Sequence, residues 1–144
     1  MGLESVMTTD VVTVDLDDTV IEVAEVFRER DVGSAVVLNA DSEVCGIVTD
    51  RDLVVFGQEF VETLERTVVN QVLSPVVFTV SPDTDTHELA RMMREEGVRR
   101  VPVVEDGDLR GIVTLDDLVV VLAEDLENLA ALIRSESPSR MVVD

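Results

Sequence analysis

The chain contains no lysine, no tryptophan and no tyrosine, and it has a single cysteine and a single histidine. Each absence removes a class of chemistry. Without lysine there is no P-loop phosphate cradle and no Schiff base. Cys45 alone allows no internal disulfide and no cysteine-rich zinc site, which fits a reducing compartment. His87 alone excludes a two-histidine metal motif. Aromatic residues make up 3% of the chain, so its core must be aliphatic, chiefly valine and leucine. No apolar run approaches the roughly 20 residues a membrane span needs. The start, "MGLESVMTTD", lacks the basic and apolar regions of a signal peptide. These features predict a soluble, cytoplasmic protein with no membrane partner.

Cationic charge is also scarce. All 11 basic residues are arginine, against 31 acidic ones, for a net charge of −20. Such a chain repels nucleic-acid backbones, so DNA and RNA are not expected partners. Dense carboxylates also destabilise a compact state unless salt screens them. The lysine-free, acid-rich composition points to a halophilic, salt-loaded cytoplasm; an ordinary acidic protein is the alternative. Hydrophobic residues make up 46% of the 144, so a packed core is expected rather than disorder.

What is present is one unit written twice. Shifted by 66 positions, Val11–Val37 lies on Val77–Val103, matching Thr13 with Thr79, Asp17 with Asp83, Glu22 with Glu88 and Ala24 with Ala90. One deletion changes the shift to 65, and "GIVTDRDL" at Gly46–Leu53 then meets "GIVTLDDL" at Gly111–Leu118. The lead-ins Leu3–Thr8 and Val69–Ser74 also correspond. The β-branched runs Val11–Val14 and Val76–Val80 read as strands. Thr19 and Glu22 form a capping-box pattern that opens a helix to about Arg30, with Val20, Val23, Ala24 and Phe27 on one face. In the second copy Asp85 or Thr86 caps a helix bearing Leu89, Ala90, Met92 and Met93 and ending near Gly97. Strands at Ala35–Leu38 and Val44–Val48, and at Val101–Val104 and Leu109–Val113, follow. Asp106–Gly107 is a hairpin-turn signal, and a helix follows each "GIVT". The fold class is α/β (α+β): two β-α-β-β-α repeats related by a pseudo-two-fold, with sheets packed against each other. The division falls at 3–66, 67–134 and a flexible tail at 135–144. Phe56–Val68 carries no proline or Gly/Ser run, so the halves should move as one body.

Two such units, each ending in Gly-apolar-apolar-Thr-x-x-Asp, resemble a tandem pair of cystathionine-β-synthase (CBS) domains, a Bateman module. The resemblance covers about residues 3–134, and "RRVPVVEDGDLRGIVTLDDL" at Arg99–Leu118 is close to the family's central signature. It implies a regulatory module that binds adenine nucleotides (AMP, ADP, ATP) or S-adenosylmethionine between its repeats and dimerises. No cofactor is required.

The repeated Thr and Asp support two readings at once. Thr49 and Thr114 can each cap a helix by accepting a backbone N–H, with Asp52 and Asp117 in the first turn. A helix N-terminus is also a phosphate site. By resemblance, Thr49 and Thr114 would hold phosphate and Asp52 and Asp117 the ribose. The base would lie against Val12, Val14, Val80 and Val101. Arg51, Arg99 and Arg100 are the candidate phosphate cations, with solvated surface as the plain alternative, and Pro102 shapes the strand. The copies differ here: Asp116 replaces Arg51, while Gly33, Ser34 and Val36 stand at the positions of Arg99, Arg100 and Pro102. One cleft is therefore expected to bind better than the other.

His87 reads as surface or half-buried, and Cys45 as a small apolar residue. In the last helix Leu115, Val119, Leu122, Leu126, Leu129 and Ile133 alternate four- and three-residue steps. Its first half should complete the core, and its second half should meet a mate on another chain, giving a homodimer; packing back on the first repeat is the alternative. The expected function is a non-enzymatic sensor, with no catalytic residue and no metal ligand, acting in trans on an unknown regulated protein. A ligand-free dimerisation scaffold and a divalent-ion-responsive module are the alternatives.

Overall fold

The computed structural model describes residues 2–136. The first repeat runs β1 (Thr13–Asp15), α1 (Val20–Arg30), β2 (Ser34–Leu38), β3 (Val44–Thr49) and α2 (Asp50–Gly57). Short 3-10 turns at Gln58–Arg66 and Val69–Gln71 lead to β4 (Ser74–Pro75). The second repeat continues with α3 (Thr86–Glu96), β5 (Arg100–Glu105), β6 (Asp108–Thr114) and α4 (Leu115–Ser135). The architecture is the expected mixed α/β repeat with two sheets.

Local chemistry sets the element ends. Thr19 Oγ1 accepts the Glu22 N–H at 3.1 Å, and Glu22 Oε1 accepts the Thr19 N–H at 3.3 Å. This reciprocal pair satisfies two of the donors a helix start leaves free. Asp85 caps α3 through the His87 N–H. Asp106 and Gly107 both take positive φ, 53° and 84°, as a tight hairpin turn between β5 and β6 requires.

Helix α1 buries Val20, Val23 and Phe27, and α3 buries Leu89 and Met93. Ala24 and Ala90, expected on these faces, are exposed. Each is one residue past an inward-facing side chain, hence about 100° round the helix, and its methyl is too short to reach back.

The two repeats are interlocked by their lead-ins. In one sheet β1 pairs parallel with β2, β2 antiparallel with β3, and β3 antiparallel with β4 from the second repeat. In return, Thr8 exchanges both backbone hydrogen bonds with Ile112 of β6, at 2.9 and 3.0 Å. The cores follow suit. Val69 and Val72 complete the core of β1–β3 and α1, while Leu3 and Val6 complete that of β5, β6 and α3. The packing thus crosses between the two repeats. The glycine of each "GIVT" makes room for the crossing strand. A Cβ at Gly46 would lie 2.9 Å from the Ser74 carbonyl oxygen, and one at Gly111 would lie 2.8 Å from that of Thr8.

The second copy departs from the first at Val76–Val80. The residue pattern predicts a strand there, but Val80 forms an isolated parallel bridge to Val103. The cause is Pro102. At the equivalent place in the first copy the Val36 N–H donates to the Val12 carbonyl at 2.9 Å. Proline has no N–H to offer Phe78, so the ladder is broken there.

Helix α4 also differs from expectation. Leu118 is its buried residue, with Val121 packed partly against the same core. Leu115, Val119 and Leu122 are 37%, 55% and 55% exposed and do not complete the core. The helix leans on the body through a face about a quarter turn from that seam. Of the tail expected at 135–144, residues 137–144 lie outside the described residues.

Candidate functional site

Each "GIVT" phrase ends a strand on a threonine whose extended backbone (φ −122° at Thr49, −109° at Thr114) turns the chain into a helix. Both Thr–Asp pairs close full capping boxes. Asp52 Oδ2 accepts the Thr49 N–H at 2.9 Å and Thr49 Oγ1 accepts the Asp52 N–H at 3.2 Å. The Thr114–Asp117 pair repeats this at 3.1 and 3.1 Å. The capping reading therefore holds at both places.

The same residues also line clefts. The first cleft, about 310 Å³, brings together Thr49 and Asp52 of the first repeat with Arg99 and Arg100 of the second. Its apolar wall includes Ile47, Val76, Val77, Phe78 and Val98. The second cleft, about 210 Å³, is its pseudo-symmetric mate, with Thr114 and Asp117 facing Thr8, Asp10, Val12 and Ser34. Strand exchange creates both, because each lead-in lays one repeat's backbone along the other's "GIVT" strand.

The clefts differ in charge. The first carries two arginines and one aspartate on its lining; the second carries two aspartates and no cation. Arg99 also approaches Asp116 at 3.9 Å, with both side chains largely exposed. Such a surface pair is weak and leaves Arg99 available. Arg51 is exposed in the first turn of α2 and is not among the residues lining the first cleft.

Of the apolar residues expected against a base, Val12 lines the second cleft. Val14, Val80 and Val101 are buried in the two cores instead. Val14 shares its core with Val20, Val23 and Phe27 of α1, and Val80 and Val101 share theirs with Leu89 and Met93 of α3. Pro102 is buried within β5 and acts on the backbone, as described above. Sequence reasoning missed Phe78, which the 66-residue shift places opposite Val12. It also missed Ser74–Val77, Thr8 and Asp10, whose place in the clefts depends on the crossing.

The remaining candidates are quiet. Burial raises the Cys45 thiol pKa above its ordinary value, and its S–H donates to the Val37 carbonyl at 3.3 Å. It therefore stays a thiol. His87 is exposed at the start of α3. Among the described residues no group of three His, Cys, Asp or Glu side chains is placed to hold a metal ion. Among them too, no helix is long and apolar enough to cross a membrane.

Comparison with known proteins agrees with this architecture. The CBS domain family model matches residues 3–58 and again 69–124. The uncharacterized protein MK0525 of Methanopyrus kandleri is 36% identical over 113 residues, covering 78% of this chain. The chain spans 58% of that relative's length. The CBS domain of a membrane protein from Sphaerobacter thermophilus superimposes with a TM-score of 0.71 at 28% identity, covering 83% of this chain and 86% of that one. The CBS domain pair of protein MJ0100, solved in complex with 5′-methylthioadenosine and S-adenosyl-L-methionine, shares the fold with a TM-score of 0.71 at 17% identity, covering 87% of this chain and 98% of that one. The doubled strand–Thr–x–x–Asp–helix unit, its interlocked sheets and these matches make the chain a member of the CBS domain family, carrying two CBS domains in tandem.

Proposed function

We propose that the chain is a regulatory sensor whose first cleft binds an adenosine-containing ligand, AMP, ADP or ATP or an S-adenosylmethionine-like compound. The observation that carries this is the convergence of Thr49, Asp52, Arg99 and Arg100 on one hollow with an apolar wall. Phosphate would sit at the Thr49 hydroxyl and the start of α2, where helix N–H groups and the dipole favour an anion. Arg99 and Arg100 would neutralise it with charge-assisted hydrogen bonds. The Asp52 oxygen not used in the cap would accept ribose hydroxyls. The base would lie on Phe78 and its apolar neighbours. One CBS domain pair of the same fold, that of MJ0100, was solved with 5′-methylthioadenosine and S-adenosyl-L-methionine and supplies a precedent for adenosyl ligands.

The module performs no catalysis in this reading. Its ligand changes the population or rigidity of a state that a separate protein reads. It works as a homodimer in a salt-rich cytoplasm, joined through the exposed seam of α4, where Leu126 and Leu129 are 67% and 60% exposed.

A thermal-shift panel at high salt with AMP, ADP, ATP, NADH and S-adenosylmethionine tests the proposal. A ligand at 100 times its dissociation constant adds about 2.7 kcal/mol of stability. A dimer that responds to none of the five is a scaffold for association, and the sensor reading falls.

A further inference from the structure

The two clefts are built alike and charged differently. The second has Ser34 where the first has Arg100, and Asp10 where the first has Val76. We propose that the clefts are sorted by charge: the first takes a phosphate-bearing adenosine ligand, the second an adenosine compound without phosphate, neutral or cationic at its 5′ end. This inference rests on the nucleotide reading of the first cleft and adds a second site with its own ligand class.

The recognition groups for a nucleoside are present in both clefts. Asp117 matches Asp52, Thr114 matches Thr49, and Ile112, Val12 and Val32 supply an apolar wall like that of Ile47, Phe78 and Val98. What the second cleft lacks is a lining cation. Arg30 pairs with Asp10 at 3.6 Å, and both side chains are well exposed. Counting that pair, the Asp117 carboxylate still stands unbalanced there. In the first cleft Arg100 is in no ion pair among the described residues, so a cation is free to meet an anion. A phosphate entering the second cleft would meet like charge at short range, with no donor of opposite sign on the lining to offset it. A neutral thioether or a cationic sulfonium would meet no such repulsion, and a sulfonium would be attracted.

Isothermal titration of the whole chain, at low and at molar salt, separates the cases. AMP is expected to fill one site per chain, and 5′-methylthioadenosine or S-adenosylmethionine to fill one other, which saturating AMP leaves open. Arg100→Gln should weaken AMP roughly 10- to 100-fold, the loss of a hydrogen bond to a charged group, and leave 5′-methylthioadenosine unchanged. Ser34→Arg is the decisive variant, because it places a cation on the second cleft and should raise the AMP stoichiometry from one to two. A gain of a site is not something misfolding can imitate. Two equal AMP sites in the natural chain, or an AMP stoichiometry that stays at one in Ser34→Arg, would overturn the sorting and leave the sensor standing. Failure of all three compounds to bind would overturn the nucleotide reading itself, and the sorting with it.

Discussion

Thr49 and Asp52 satisfy one another, each accepting the other's backbone N–H at 3.2 and 2.9 Å, while both line the first cleft. One carboxylate oxygen of Asp52 is thus committed to the helix start, and the other is the one the proposed ligand would use. Fold and site share the same atoms. A substitution here has to be read twice, once for stability and once for binding.

The second copy supplies the control. Asp52→Ala and Asp117→Ala each remove one capping box, so each should cost about 1 kcal/mol, within the 0.5–2 kcal/mol span of cap losses. Chemical denaturation checks this. The ligand response should then split. Asp52→Ala abolishes the AMP-induced thermal shift, and Asp117→Ala retains it. Equal loss of the shift in both variants would mean that AMP senses the caps and not the first cleft.

The crossing strands predict a different kind of sensitivity. A methyl at Gly46 or Gly111 would press on a backbone oxygen of the other repeat's lead-in, at 2.9 and 2.8 Å. That oxygen is held in the ladder and cannot move aside as a side chain would. Gly46→Ala and Gly111→Ala should each destabilise the protein by about 1–3 kcal/mol, the usual cost of overpacking. At Gly57 an added methyl would meet nothing within 4 Å, and the residue ends α2 with ordinary helical dihedrals. Gly57→Ala should therefore stabilise by about 0.4–1 kcal/mol. Urea midpoints of the three variants give the comparison.

Salt should act on the whole molecule. A net charge of −20 repels itself across the surface. Raising ionic strength from 0.1 to 1 M shortens the screening length from about 10 to about 3 Å. The melting temperature should rise across that range, each kcal/mol of relieved repulsion appearing as roughly 2–8 °C. A melting temperature that falls or stays flat from low to molar KCl would contradict the salt-adapted reading.

Much of this molecule is legible in its sequence because it is written twice. The repeat exposes the units, the capping boxes at Thr19, Thr49 and Thr114 mark the helix starts, and Asp106–Gly107 marks the hairpin. The strand exchange is not legible. Nothing local in Leu3–Thr8 says which repeat's strand it will join, since either "GIVT" strand offers the same edge and the same glycine gap. That choice decides which residues line the clefts, so the Thr–Asp pairs stand out in the sequence while Ser74, Val76 and Thr8 do not. Pro102 carries a legible signal whose effect lies one strand away. A proline in a strand removes a ladder donor, and the consequence falls on the neighbouring segment, at Phe78, where the first copy keeps its pairing.

Helix α4 carries two apolar faces, and the second one gives the last prediction. Leu118 and Val121 face the core of the second repeat. About a quarter turn away, Val119, Leu122, Leu126, Leu129 and Ile133 remain 55–67% exposed. Their alternating three- and four-residue steps average 3.5, the spacing that keeps one seam facing a partner helix. Val119, Leu126 and Ile133 fall at one heptad position, two of the three β-branched, and Leu122 and Leu129 at the other, a pattern close to the one that favours two-stranded packing. The family match ends at residue 124 while the helix runs to Ser135, so the last three turns extend the seam beyond the domain itself. Leu126→Asp and Leu129→Asp should each convert a dimer to single chains in light scattering. Because both side chains are exposed in the single chain, its circular dichroism and its AMP response should survive. Asn128→Asp, on the far side of the same helix, should leave the mass unchanged. A protein that stays dimeric in both leucine variants must dimerise through another surface, and one that is a single chain without any substitution has no mate for the seam at all.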